Sequence, residues 1–203
     1  MLIISLEGLD GCGKSTQCKM LYDTLTERGF HVGMVREPGG SDLGNELRSI
    51  LLRDGHIALW AEAYLFMAAR AQMLSELGDY DIVLCDRYID SSVVYQGYAR
   101  GLGMERIWKL SEPSIAEHYP DTTLYIRVPY ETCLERQAQR GKADRIEASG
   151  MEFFKRVYEG YETLSEQDPN RWLTVDGTGT PEQVHDRIIK ALRHRFTAMY
   201  MRL

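Results

Sequence analysis

Leu2-Ile3-Ile4-Ser5-Leu6-Glu7-Gly8-Leu9-Asp10-Gly11-Cys12-Gly13-Lys14-Ser15-Thr16 carries a short apolar run directly into the pattern G-x-x-x-x-G-K-[ST]. The apolar run reads as a buried strand, and the residues from Lys14 onward read as the start of a helix. Between them, Gly8, Gly11 and Gly13 let the backbone fold tightly and turn successive N–H groups inward, where the positive end of the helix adds to the field. Such a loop cradles a polyphosphate through residues 8 to 16, with Leu9, Asp10 and Cys12 between its glycines. Lys14 is placed to reach the β- and γ-phosphates, and Ser15 and Thr16 open the helix, Ser15 as a ligand for Mg²⁺. A Gly-rich turn of purely structural purpose reproduces part of this pattern but not its full spacing between strand and helix. The chain is expected to bind a nucleoside triphosphate.

Working outward, short apolar runs alternate with longer amphipathic stretches. Strands are predicted at 2–6, 32–35, 82–86, 123–128 and 172–175, each short enough for a buried parallel strand. Helices are predicted at 14–28, 42–53, 59–76, 88–97, 104–117, 130–139, 150–167 and 181–199, with Gly29, Gly55, Gly78 and Pro169 near their ends. Five strands separated by helical crossovers imply an α/β fold, a five-stranded parallel sheet with helices on both faces. Ligands of such sheets sit outside the carboxyl ends of the strands, so function is sought in the segments that follow strands.

The 203 residues, 44% hydrophobic and 27% charged, suffice for one good core and are short for two, so a single domain over 1–203 is expected. A net charge of −6 leaves no basic surplus for coating nucleic acid. Cys12, Cys18, Cys85 and Cys133 form no C-x-x-C pair and no His cluster accompanies them, which fits reduced thiols in a cytosol rather than a disulfide scaffold or a zinc site. The first apolar stretch is too short for a signal peptide and no stretch approaches membrane-spanning length, so a soluble, cytoplasmic protein with no membrane partner is expected.

Two post-strand segments carry phosphate chemistry. Arg36-Glu37-Pro38-Gly39-Gly40 follows the second strand, and Asp86-Arg87-Tyr88 closes the third. A carboxylate there can organise the water shell of Mg²⁺ while a neighbouring guanidinium forks a second phosphate. An isolated Asp-Arg dipeptide is usually a surface ion pair; its position at a strand end after a phosphate loop argues for a site. Two helical i,i+4 pairs suggest a base pocket. Phe66 can stack on a base while Arg70 donates to a carbonyl, and Ser92 with Gln96 can supply hydrogen bonds to a base edge. Phe66 taken alone reads more readily as core packing than as a base contact, since Leu65, Met67 and Ala68 make its helix apolar almost all round. Finally, Arg136, Arg140, Lys142 and Arg145 make 136–148 a Gly-hinged, cation-rich stretch that can close over a transferring phosphoryl group, or else form a solvated helix end.

These segments, with Pro120-Asp121, Asp144-Arg145-Ile146-Glu147 and Val175-Asp176, occur in the order of the thymidylate kinase family, and the chain resembles that family over nearly its whole length. The resemblance implies a P-loop nucleoside monophosphate kinase that transfers the γ-phosphate of ATP to dTMP with Mg²⁺, acts in dTTP synthesis and forms a homodimer. It implies that Asp10 holds the sugar 3′-hydroxyl and orients the phosphate, that Arg87 binds the dTMP phosphate, and that Asp86 with Ser15 organises Mg²⁺. Arg36 and Glu37 join the acceptor site, Phe66 stacks on thymine, Arg70 contacts O4, and Ser92 and Gln96 contact the N3 side. Tyr95 crowds the sugar 2′ position. Arg136 packs on adenine. Because Gly11 follows the loop carboxylate where some relatives carry Arg, the closing arginines come from the lid as Arg140 and Arg145, completing a catalytic set with Lys14 and Asp10.

Two positions depart from the family pattern. The stretch between Arg70 and Asp86 is short, and Arg127 ends a strand where relatives usually show Asp or Asn. Competing readings are a deoxynucleoside kinase or another monophosphate kinase, which share the loop and sheet, and a nucleotide-dependent switch, for which no guanine-reading N-K-x-D segment exists. The apolar tail at Met199 to Leu203 reads as a docked terminus or a dimer contact.

Overall fold

Side chains that are apolar on both faces of a strand are accepted only in a sheet covered on both sides, and the five Ile-, Val- and Leu-bearing runs form such a sheet. The computed structural model describes residues 1–139 and 144–196. Strands β1 (Leu2–Glu7), β2 (Val32–Arg36), β3 (Ile82–Asp86), β4 (Thr122–Arg127) and β5 (Trp172–Asp176) lie in the order β2-β3-β1-β4-β5, every pairing parallel. Parallel neighbours need crossovers. These contain α1 (Lys14–Glu27), α2 (Asp42–Leu52), α3 (Leu59–Ser75), α4 (Ile89–Ser92), α5 (Met104–Ile115), α6 (Tyr130–Ala138) and α7 (Met151–Gln167), and α8 (Pro181–Arg195) follows the last strand. The expected five-stranded α/β architecture is present, and each strand lies within one residue of its expected bounds.

Every strand ends on a charge: Glu7, Arg36, Asp86, Arg127 and Asp176. The apolar side chains of β1, β3 and β4 bury in one core cluster with parts of the edge strands β2 and β5, while this row of charges forms the carboxyl edge of the sheet, where the topology places ligands. Local signals set the helix starts. Ser41 caps α2 by accepting from the Gly44 N–H at 3.0 Å. Thr180 and Gln183 form a reciprocal capping box on α8, with Pro181 in its first turn.

Three helices depart from expectation. The helix expected over 88–97 is a single α turn, α4, followed by a π-helical stretch, Val93–Ala99, that widens the backbone around Tyr95 and Gln96. Gly97 permits this stretch to touch α5, since a Cβ there would stand 2.9 Å from the Cα of Met104. Helix α5 stops at Ile115 rather than 117, because Pro113 lies in its last turn and Ala116 turns left-handed with φ 47°. Helix α8 ends at Arg195, and the tail at Met199 to Leu203 lies outside the described residues.

Candidate active site

The phosphate loop is pressed against the end of β4. Gly8 has φ 140°, and a Cβ there would meet the Ile126 carbonyl oxygen at 2.8 Å, so only glycine fits. Lys14 is buried under the loop and donates from Nζ to the carbonyl oxygens of Gly8 (2.9 Å) and Leu9 (3.0 Å). Ser15 Oγ donates to Asp86 Oδ2 at 2.5 Å, and Arg36 Nε lies 3.9 Å from the same oxygen. A hydroxyl and a carboxylate thus meet at the N-terminus of α1. Among the described residues no three His, Cys, Asp or Glu side chains form a metal cage. One carboxylate plus one hydroxyl is the sparse, hard-oxygen set that suits Mg²⁺ held mainly by phosphate oxygens and water.

Next to the loop stands Arg87, the residue after β3. Its φ of 71° is a left-handed conformation that costs a non-glycine residue about 1–3 kcal/mol, and it is fixed by many bonds. Nη2 lies 2.6 Å from Asp10 Oδ1 and donates to the Tyr95 hydroxyl at 3.0 Å, while Nη1 donates to Ser91 Oγ and the Tyr161 hydroxyl, both at 3.0 Å. Tyr95 in turn donates to Asp10 Oδ2 at 3.0 Å. Burial pushes the Asp10 carboxyl up, but the Arg87 guanidinium and Lys14 outweigh it and hold Asp10 well below the usual carboxylate range. Beneath this group, Glu7 accepts from the Tyr88 N–H (2.8 Å), Ser91 Oγ (2.6 Å) and the Tyr161 hydroxyl (2.9 Å). Burial and then the like charge of Asp90 push Glu7 up to about 7, against the pull of Arg87.

An open cleft of about 680 Å³ extends from Arg87 toward α3. Asp10, Arg36, Glu37, Phe66, Arg87, Ser92, Tyr95 and Gln96 all line it, which brings together every residue expected at the acceptor site except Arg70. Arg70 is fully buried and reaches the cleft through its partners. Its Nε and Nη2 donate to the two oxygens of Glu37 at 2.8 and 2.6 Å, and Nη2 also donates to Ser92 Oγ at 2.9 Å. Glu37 therefore braces Arg70. Arg48, which the sequence reading missed, lines the same cleft and donates to the Pro38 carbonyl at 2.8 Å. Burial and the neighbouring charge of Arg36 lower its pKa, a sign of cations crowded around one space. As the only Lys or Arg on α2, it offered a signal of its own.

The cationic stretch is divided. Arg140 and Lys142 lie outside the described residues. Arg136 donates to the Gly11 carbonyl at 3.4 Å, on the outer side of the loop. Arg145 does not face the phosphate loop as expected of a closing arginine: its Nε donates to the Leu51 carbonyl at 2.8 Å and its Nη2 lies 2.8 Å from Glu62 Oε2. A carboxylate as buried as Glu62 needs cationic partners, and this demand draws Arg145 to α3. Asp144, Ile146 and Glu147 consequently line the acceptor cleft.

A second cavity, about 620 Å³, adjoins the outer side of the loop and is lined by Gly11, Gly13, Thr16, Arg136, Gly177, Gly179 and Pro181. The sequence reading missed its β5–α8 segment, although the rule that ligands follow strands pointed to it. Arg127 turns away from both spaces and pairs with Glu162 at 2.6 Å, which also accepts from the Tyr125 hydroxyl at 2.7 Å. The shortened stretch after α3 is filled by Tyr80, whose ring packs where a side chain at Gly33 would stand.

Comparison with known proteins gives a consistent result. The family model described as thymidylate kinase matches residues 6–188. The thymidylate kinase of Caldanaerobacter subterraneus subsp. tengcongensis is 42% identical over 195 residues, covering 93% of each chain. That of Kosmotoga olearia is 40% identical over 195 residues, covering 93% of this chain and 94% of its own. The crystal structure of thymidylate kinase from Ehrlichia chaffeensis superposes with a TM-score of 0.78 at 29% identity, covering 94% of this chain and 98% of that one. With these matches spanning the sheet, the phosphate loop and the cleft, the chain belongs to the thymidylate kinase family.

Proposed function

We propose that this chain moves the γ-phosphoryl group of ATP to dTMP, giving dTDP and ADP, by in-line displacement where the phosphate loop meets the acceptor cleft. The observation that carries this reading is Arg87, a strained residue whose guanidinium stands between the loop carboxylate Asp10 and a cleft walled by Arg36 and Arg48. Three cations beside a triphosphate loop make a seat for a second, dianionic phosphate. Arg87 binds the dTMP phosphate, Asp10 orients it and takes the sugar 3′-hydroxyl, and Tyr95 closes the space beside the sugar. Phe66 stacks on thymine, Arg70 donates to O4 beside Ser92, and Gln96 meets N3. Lys14 and the loop N–H groups hold the β- and γ-phosphates. Arg136 packs on adenine in the cavity bounded by Gly177 and Gly179.

Ser15 and Asp86 would hold Mg²⁺, which would supply positive charge against the phosphates of ATP. Phosphoryl transfer asks the protein chiefly for positioning and charge stabilisation, and Arg140 is the lid cation assigned to the transferring group. Arg145 serves differently, holding the far end of the lid against α3. A coupled ADP-release assay offering dTMP, dUMP, dCMP, dGMP, AMP and thymidine tests the reading. Turnover confined to dTMP with weaker dUMP is expected; turnover on thymidine or a purine monophosphate overturns the acceptor assignment.

The functional unit in this proposal is a cytoplasmic homodimer of single-domain chains. Helix α3 is apolar on its outer face too, with Trp60 40% and Tyr64 56% exposed beside exposed Ala61 and Ala68. A helix apolar all round calls for cover on every side. Sedimentation should give a dimer that Tyr64→Glu converts to monomers. The four buried, unpaired cysteines fit a reducing compartment, and no helix among the described residues is long and apolar enough to cross a membrane.

A further inference from the structure

Glu62 has no part in the roles above apart from holding Arg145, yet its two oxygens meet Gln96, Arg100 and Arg145 beside the acceptor cleft. It lies on the inward face of α3 with 1% of its surface exposed. Its Oε1 accepts from Gln96 Nε2 at 3.0 Å and from Arg100 Nε at 3.4 Å. Its Oε2 lies 2.8 Å from Arg145 Nη2 and accepts from Arg100 Nη2 at 3.5 Å. Arg100 continues the chain of contacts by donating to Ser149 Oγ at 3.0 Å and stacking over Phe153, 4.2 Å from the ring centre.

A carboxylate accepts hydrogen bonds and does not donate them, whereas a carboxamide has one end of each kind. The end of Gln96 that faces Glu62 must therefore be its NH₂ group. Gln96 lines the cleft, and among the described residues no group donates to its Oε1. The end left for the base is the acceptor. Beside it, Ser92 lines the cleft and its Oγ accepts from Arg70, which leaves its own hydroxyl hydrogen to donate. A donor next to an acceptor matches a pyrimidine with an oxo group at C4 and a hydrogen on N3, and mismatches a 4-amino pyrimidine, whose N3 is itself an acceptor.

We propose that Glu62 is a positioning residue that sets the orientation of the Gln96 carboxamide and thereby excludes 4-aminopyrimidine nucleotides from the acceptor cleft. The inference rests on the assignment of that cleft to dTMP. Through Arg145 and Arg100, the same carboxylate also fixes segment 144–149 to the base-reading wall, so the orientation of Gln96 is tied to the placement of the lid's far end. Glu62→Gln can donate as well as accept, so it releases the constraint on Gln96 while keeping the shape of the side chain.

The test compares kcat/KM for dTMP and dCMP in the wild type, Glu62→Gln and Glu62→Asp. Glu62→Gln is expected to lower the dTMP/dCMP ratio by about tenfold or more, since misdirecting one hydrogen bond in a buried site is worth about that factor. Glu62→Asp, which still only accepts, should recover part of the ratio. A proportional loss on both nucleotides, with the ratio unchanged, assigns Glu62 to structure alone and overturns the proposal. A wild type that does not prefer dTMP over dCMP overturns the cleft assignment itself. Removing a charge that faces two arginines can prevent folding, so a second measurement uses the unaltered protein. Hydrogen exchange of the Gln96 side-chain NH₂, followed by ¹⁵N-resolved NMR, should be slow both before and after dTMP is added. Free exchange before dTMP is added means that the NH₂ end faces the cleft, and it overturns the proposal.

Discussion

On the side of the site assigned to dTMP, Arg70 with Glu37, Arg87 with Asp10 and Arg145 with Glu62 meet as ion pairs at 2.6, 2.6 and 2.8 Å. On the side assigned to ATP, the described lining comes from the phosphate loop, Lys14, the glycines after β5 and Arg136. The acceptor side is built of charged side chains paired with one another in a low-dielectric setting. The donor side is built of backbone, which grips phosphate but carries little information about the base. Side-chain arrays of fixed polarity discriminate between bases; backbone cradles discriminate charge and shape. This asymmetry predicts strict choice of the acceptor and looser choice of the donor.

The hardest blow to the acceptor side is Arg87→Ala, which removes the cation assigned to the dTMP phosphate and the ion-pair partner of Asp10. Truncating one partner of a buried charge contact with a ligand costs about 2–5 kcal/mol, so kcat/KM for dTMP should fall by roughly 10²- to 10³-fold with the KM for ATP little changed. Steady-state kinetics with each substrate varied decides it, and equal weakening of both substrates would erase the division between the two sides. The matching blow to the donor side is Lys14→Ala, expected to lower kcat by about 10²- to 10³-fold while calorimetry finds dTMP affinity retained. Arg70→Ala comes third. It should weaken dTMP by about 10- to 100-fold and lower Tm, because Glu37 loses the cation that offsets its burial.

A pH series probes the foundation of the acceptor side. Glu7 binds its proton at about 7 in the folded chain against an ordinary value of 4.5, so the native state holds that proton more tightly than the unfolded chain does. The stability this contributes is complete below about 4.5 and is lost as pH rises through 7. Between pH 5 and 8, the wild type should therefore lose on the order of 2 kcal/mol relative to Glu7→Gln, read from urea unfolding at each pH. A difference between the two proteins that does not vary with pH would contradict the buried-carboxylate account. The smallest effect concerns the donor base: GTP should support turnover within about tenfold of ATP, because a glycine-bounded cavity with one stacking arginine offers few side-chain groups to tell purines apart. A preference for ATP of 10³ or more would break the comparison from the donor side.

The sequence by itself determined the sheet, its parallel strands and the phosphate loop. These rest on local signals: apolar runs of five or six residues, glycines where a side chain would meet backbone, and a helix opening on Lys14. It also pointed to Phe66, Arg87, Ser92 and Gln96, which line one cleft, because i,i+4 spacing and strand ends place them by short-range geometry alone. Only the tertiary structure decided which partner each charge takes. Glu37 is committed to Arg70 across 33 positions of sequence and Arg145 to Glu62 across 83, distances at which no local pattern speaks. Arg48, a lone cation on α2, and the glycines after β5 carried local signals, but which space each lines was decided by the elements that fold against it. A charge buried by packing must find its opposite wherever the fold brings one near, and that choice belongs to the assembled core rather than to any segment of the chain.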